Sequence, residues 1–129
     1  MARHRVPVLL ADPAAGVVAA VHAGRRGLVA GVVPAAVRAM AAAGAGRLSA
    51  VLGPSICGTC YEVPEALQRE VADVVPGTAS TTTDGTPALD LRAGVRYQLA
   101  RAGVQHVTVV EACTLEDDAW FSHRGTGPG

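Results

Sequence analysis

The sequence predicts a mixed α/β protein, a layered sheet with helices packed outside it. Half of the 129 residues are hydrophobic, enough to bury a core. Short apolar runs rich in Val and Leu, such as Val6–Asp12 "VPVLLAD", read as strands, while longer stretches carry apolar residues at helical spacing. The order strand, strand, helix, strand, helix, helix, strand interleaves the two kinds in one domain, with no repeat and no linker.

Each element has a local reason. Val6–Asp12 is a continuous apolar run, and such runs predict strands covered on both faces. Asp12-Pro13 is a turn signal. Gly16–His22 "GVVAAVH" predicts a second strand. A helix is predicted over Gly27–Gly44, with Leu28, Val32, Ala36 and Met40 on one stripe and Val29, Val33 and Val37 widening it. Pro34 inside it predicts a kink or a late start, and Gly44 the stop. Leu48–Pro54 predicts the third strand, and "SICGTCYEV" a loop. Pro64 opens a helix through Val75, since its missing N–H costs little in a first turn. Gly77–Thr86 "GTASTTTDGT" predicts a polar, flexible loop. Asp90 caps a helix ending at Gly103, and Val104–Ala112 is the last strand. Thr114–Trp120 predicts one helical turn before a tail. A buried-looking strand begins within five residues of the start, which predicts a sheet with part of its fold missing.

Composition excludes several functions. Eleven basic and eleven acidic residues give zero net charge, against a general nucleic-acid binder. Every basic side chain is arginine, so a Schiff-base or P-loop lysine is excluded, and arginine abundance alone is no sign of phosphate binding. Three cysteines without a secretory pattern fit a reduced, cytoplasmic setting. The apolar run Val6–Ala11 is too short for a signal peptide or a membrane span.

Four candidate sites stand out. His22 ends a strand before a Gly-rich turn, where α/β sheets bind ligands, though an ordinary strand-end histidine looks the same. "GRRG", Gly24–Gly27, lies at a predicted helix N-terminus, where amides and a guanidinium would hold an anion; two solvated arginines are the plainer alternative. "CGTC", Cys57–Cys60, lacks the second pair of a four-cysteine zinc site and does not open a helix as a thioredoxin-like pair does. Glu111, Cys113, His123 and Arg124 gather late in the chain, where a Cys/His pair would make a nucleophile and base. Glu62 is a possible acid or base, and also reads as a surface carboxylate.

Taken in order, "PVLLADP", "GVVAAVHAGRRGLVAG", "GPSICGTCYEV", "LDLRAGVRYQL" and "CTLEDDAWFSHR" resemble the laccase-domain family, also called multicopper polyphenol oxidase-like proteins. The resemblance runs from Val6 to Arg124. It implies the layered α/β fold of the laccase-domain (cytotoxic necrotizing factor-like cysteine hydrolase) type. It also implies purine nucleoside phosphorylase activity, with adenosine deamination and methylthioadenosine cleavage, and a zinc ion held by two histidines and a cysteine. His22 matches the second histidine and Arg26 the arginine of the "HAGxRG" block, whereas Arg25 stands where tryptophan is usual. Cys60, Tyr61 and Glu62 match "CYEV"; Cys113, Ser122, His123 and Arg124 match the late block.

The chain departs from that pattern at its start. Where the resemblance implies Asp-Cys before "PVLL", this chain has His4 and Arg5, and it is expected to lack the upstream segment that carries the family's first histidine ligand. Strand alternation predicts that His4 faces away from a metal that residue 5 would face. Residues 1–129 are thus expected to be a single partial domain, the C-terminal half, with only His22 of the three metal ligands.

The resulting expectations are a phosphorylase acting on adenosine or inosine with phosphate. His22, Glu62 and Arg26 are the catalytic candidates, and Arg26, Gly24, Gly27, Tyr61 and Arg124 the substrate contacts. Tyr61 or Phe121 would stack on the purine. The isolated chain is expected to be weakly active or inactive. The alternatives are an inactive fragment, or a subunit that needs a partner chain or a second copy to cover an exposed sheet edge. Copper-dependent phenol oxidation follows the older family name, but four histidines are few for multicopper centres.

Overall fold

The computed structural model describes residues 4–110. Its elements are β1 (Val6–Asp12), β2 (Val17–Ala23), α1 (Arg25–Ala30), α2 (Val32–Ala42), β3 (Ser49–Leu52), α3 (Glu65–Val74), β4 (Ala79–Thr81), β5 (Pro87–Leu89), α4 (Leu91–Arg101) and β6 (His106–Val109). The main sheet has the order β2-β1-β3-β6. β1 pairs antiparallel with both β2 and β3, and β6 joins β3 in parallel after the crossover through α3 and α4. The sheet is therefore mixed, as the element order predicts.

Pleating sorts the strand residues onto two faces. Val6, Val8 and Leu10 of β1 lie opposite Ala23, Val21 and Ala19 of β2, and Ala50 and Leu52 of β3 continue the same face. Most of these are fully buried, packed with Leu28, Val33 and Met40 from α1 and α2 and with Leu91, Val95 and Leu99 from α4. On the other face sit Pro7, Leu9 and Ala11, Val18, Ala20 and His22, and Val51. There Leu9 is 52% exposed, Val18 72% and Val51 40%. The continuous apolar runs predict cover on both faces. Among the described residues the helices cover one, because α1, α2 and α4 all pack from the same side.

Three local readings change. The predicted long helix is two helices, broken at Gly31 rather than at Pro34. Gly31 adopts φ 83° and serves as the end of α1 and the start of α2, a conformation that costs glycine least. Pro34 falls in the first turn of α2, where its missing N–H breaks no helical bond. The expected flexible loop 77–86 instead carries β4 and the turn of a hairpin, whose second strand β5 follows it directly. Gln68 of α3 holds it by donating from Nε2 to the carbonyls of Ser80 and Ala88, at 2.7 and 3.0 Å. The fourth main strand spans His106–Val109, within the predicted Val104–Ala112, of which Glu111 and Ala112 lie outside the described residues.

Other caps agree with expectation. Asp90 accepts from the Ala93 amide at 3.0 Å, as an N-cap does. Asp12 closes β1 by accepting from the amides of Gly46, Arg47 and Ala15. The Gly46 amide, the largest influence, holds the Asp12 carboxyl below its usual value.

Candidate functional site

β2 ends at Ala23 and α1 starts two residues later, so the chain turns sharply at Gly24 and presents His22 and the arginines near one sheet end. His22 lies opposite Pro7 of β1 and is exposed. On the neighbouring strand β1 starts only at Val6, so His4 and Arg5 precede the pleat. A cavity of about 490 Å³ forms here, lined by His4, Arg5, His22, Gly24, Arg25, Arg26, Gly27 and Tyr61. The alternation argument for residue 4 thus fails for a physical reason: outside the strand, side chains need not alternate, and both His4 and Arg5 reach this cavity.

Tyr61 arrives from the loop after β3. Its carbonyl accepts from Leu89 N at 3.0 Å, and Val63 N donates to Pro87 O at 3.0 Å, so the stretch is tied to β5. The Tyr61 ring stacks on His4, with centroids 4.7 Å apart and planes 15° from parallel. Among the described residues, three guanidinium groups and two imidazoles surround the cavity, and no carboxylate lines it. That charge distribution attracts an anion, and arginine's planar fork suits phosphate or carboxylate oxygens.

Five sequence-predicted residues therefore meet: His22, Gly24, Arg26, Gly27 and Tyr61. Glu62 does not line the cavity; it is exposed and its backbone bridges to Ala88. Arg124 lies outside the described residues, as do Glu111, Cys113, Phe121, Ser122, His123 and the predicted turn Thr114–Trp120. Sequence reasoning ranked Arg25 below Arg26, yet both line the cavity, and Arg25 is the less exposed. It missed Arg92, a buried arginine near the start of α4 whose Nε donates to Ser55 Oγ at 2.7 Å. No spacing pattern marks such a contact; the signal was an arginine on the inner face of a helix. The helix α1 spans only six residues, so its dipole is short and the side chains dominate the site's charge.

Zinc does not fit the described donor set. No three His, Cys, Asp or Glu side chains converge among the described residues. His22 shares its cavity with three guanidinium groups, which would repel a cation. Among the described residues, no helix is long and apolar enough to cross a membrane.

Known proteins resemble the chain in sequence and in fold. The chain is 59% identical over 120 residues to a purine nucleoside phosphorylase of Streptomyces griseus, covering 92% of this chain and 49% of that protein. It is 39% identical over 134 residues to an adenosine deaminase from an unknown prokaryote, covering 95% and 50%. The chain thus spans about half the length of the curated relatives it matches. In structure it resembles YlmD from Geobacillus stearothermophilus, with TM-score 0.77 and 31% identity over 89% of this chain and 46% of that one. Residues 4–128 match the family described as multi-copper polyphenol oxidoreductase laccase, and the chain belongs to that family.

Proposed function

We propose that the arginine-lined cavity is the phosphate-binding part of a purine nucleoside phosphorylase site acting on adenosine or inosine. One observation carries this reading: Arg5, Arg25 and Arg26 share a cavity with His22 and Tyr61, and among the described residues no carboxylate lines it. In phosphorolysis a phosphate oxygen attacks the ribose C1′ while the bond from C1′ to the purine nitrogen breaks. The bonding pair leaves with the base, which takes up a proton. Guanidinium groups neutralise and orient the nucleophile. His22 serves as the acid for the leaving purine. The Tyr61 ring contributes a stacking surface. Glu62 and Arg124 stay in this reading as substrate contacts on the family resemblance alone, with Glu62 as an acid or base group. Relatives named as phosphorylases at up to 59% identity support the class, and one named as an adenosine deaminase supports deamination as a further activity. Methylthioadenosine cleavage would use the same phosphate site.

The chain spans about half of these relatives, so the isolated protein is expected to turn over weakly or not at all. The open sheet face favours a companion reading. Leu9, Val18 and Val51 form the apolar seat of a polypeptide layer equivalent to the relatives' remaining half, delivered by a partner chain.

The test supplies adenosine or inosine with phosphate and zinc and follows adenine or hypoxanthine by chromatography. It is run with and without the complementary half of the Streptomyces griseus relative. Turnover is expected on complementation and lost in His22→Ala. Arg26→Ala is expected to weaken phosphate binding about tenfold, the scale of one exposed charge-assisted hydrogen bond. A folded complex that binds neither phosphate nor nucleoside would refute the assignment.

A further inference from the structure

Cys57 and Cys60 lie three residues apart in the turn before Tyr61. Their sulfurs are 3.2 Å apart, and both are thiols, each half-buried. The turn that aligns them is held in several places. Cys60 N donates to Cys57 O at 3.0 Å, closing it. Ser80 Oγ, from the β4–β5 hairpin, donates to Gly58 O at 2.7 Å. Gly58 sits so close to Asp90, the cap of α4, that a methyl group there would come within 2.9 Å of the Asp90 side chain. The Thr59 hydroxyl lies 3.3 Å from Cys57 Sγ. A disulfide needs the sulfurs at about 2.05 Å, so closure asks for a movement of about 1 Å.

We propose that Cys57 and Cys60 form a redox-modification site, a dithiol that a low-molecular-weight disulfide converts to an intramolecular disulfide. A thiolate of the pair attacks one sulfur of the small disulfide. The small disulfide's S–S bond breaks, and one small thiolate leaves with the bonding pair. The second cysteine, already deprotonated or losing its proton to solvent, attacks the protein-bound sulfur of this mixed disulfide and expels the second small thiolate. In sum, the two cysteines lose two protons and two electrons, and the small disulfide is reduced to two thiols. Tyr61 follows Cys60 directly and lines the cavity, so the modified turn adjoins the site. The inference does not depend on the phosphorylase reading.

The whole protein is equilibrated with oxidised and reduced glutathione, alkylated, and analysed by intact mass and peptide mapping. Alkylated cysteines are expected to fall from three to one per chain, with a link between Cys57 and Cys60 and no retained glutathione. Cys57→Ser and Cys60→Ser are each expected to stop at the mixed disulfide, because the second sulfur is gone. A stable glutathione adduct in the unmodified sequence, a link from either cysteine to Cys113, or three alkylated cysteines throughout would each overturn the proposal.

Discussion

The two faces of the main sheet carry similar residues and meet different fates. On one, Val6, Val8, Leu10 and Leu52 are almost wholly buried beneath three helices. On the other, Leu9, Val18 and Val51 keep between 40% and 72% of their surface exposed. Leu9 and Leu10 are neighbours in sequence and identical in chemistry, yet one is half exposed and the other shows none of its surface. Hydrophobicity therefore does not by itself report cover. It reports what a surface is made for. Single exposed apolar side chains are ordinary, but three on adjacent strands of one sheet, with Ala11 and Ala20 between them, make a contiguous patch of the kind that marks an interface.

The comparison breaks most sharply at Leu10. Leu10→Ala removes a fully buried side chain from between sheet and helices and is expected to cost about 2–5 kcal/mol, the range for cavity-forming leucine truncations. Urea denaturation followed by far-UV circular dichroism measures it. A loss below about 1 kcal/mol would mean that the covered face is not the core.

Asp12 sharpens the same face at its polar end. It shares the pleat with Leu10 and is nearly buried, and four backbone amides, Gly46 foremost, hold its carboxyl below the usual 3.8. A group with a depressed folded pKa stabilises the fold above its unfolded value, and that contribution is lost as pH falls through the folded one. Asp12→Asn, which puts an amide where amides already donate, is expected to destabilise near neutrality by less than Leu10→Ala does. It should also flatten the fall in stability below about pH 4. Urea midpoints from pH 3 to 7 test this; an unchanged acid slope in the variant would remove Asp12 from the account.

Much of this was legible in the sequence, because much of it is local. Apolar runs located β1, β2 and β3; helical spacing, Pro64 and Asp90 located α3 and α4. What escaped depends on distant partners. Thr- and Ser-rich residues 79–81 read as loop, and become a strand because Gln68 of α3 and the neighbouring β5 satisfy their backbone. The helix break went to Pro34 in the reading and to Gly31 in the fold, because a proline in a first turn is harmless whereas a positive φ ends a helix. At the site, "HAGRRG" and Tyr61 were legible as candidates, but their convergence on one cavity was not. His4 and Arg5 were misjudged by applying strand alternation before the strand had begun.

The smallest effect is the most informative about the open face. Leu9→Ser trims a side chain that already meets solvent over about half its surface, so the isolated chain is expected to change by no more than about 0.5 kcal/mol. The same substitution beside Val51 and Ala20 should weaken capture of the complementary half, since it puts a hydroxyl in the centre of the patch. Stability and capture would then separate: Leu10→Ala harms the first, Leu9→Ser only the second. The pair is read by urea midpoints on the chain alone and by light scattering on the mixture. A Leu9→Ser chain that loses several kcal/mol by itself would show that the chain already covers this face in solution. An unweakened complex would place the docking layer elsewhere.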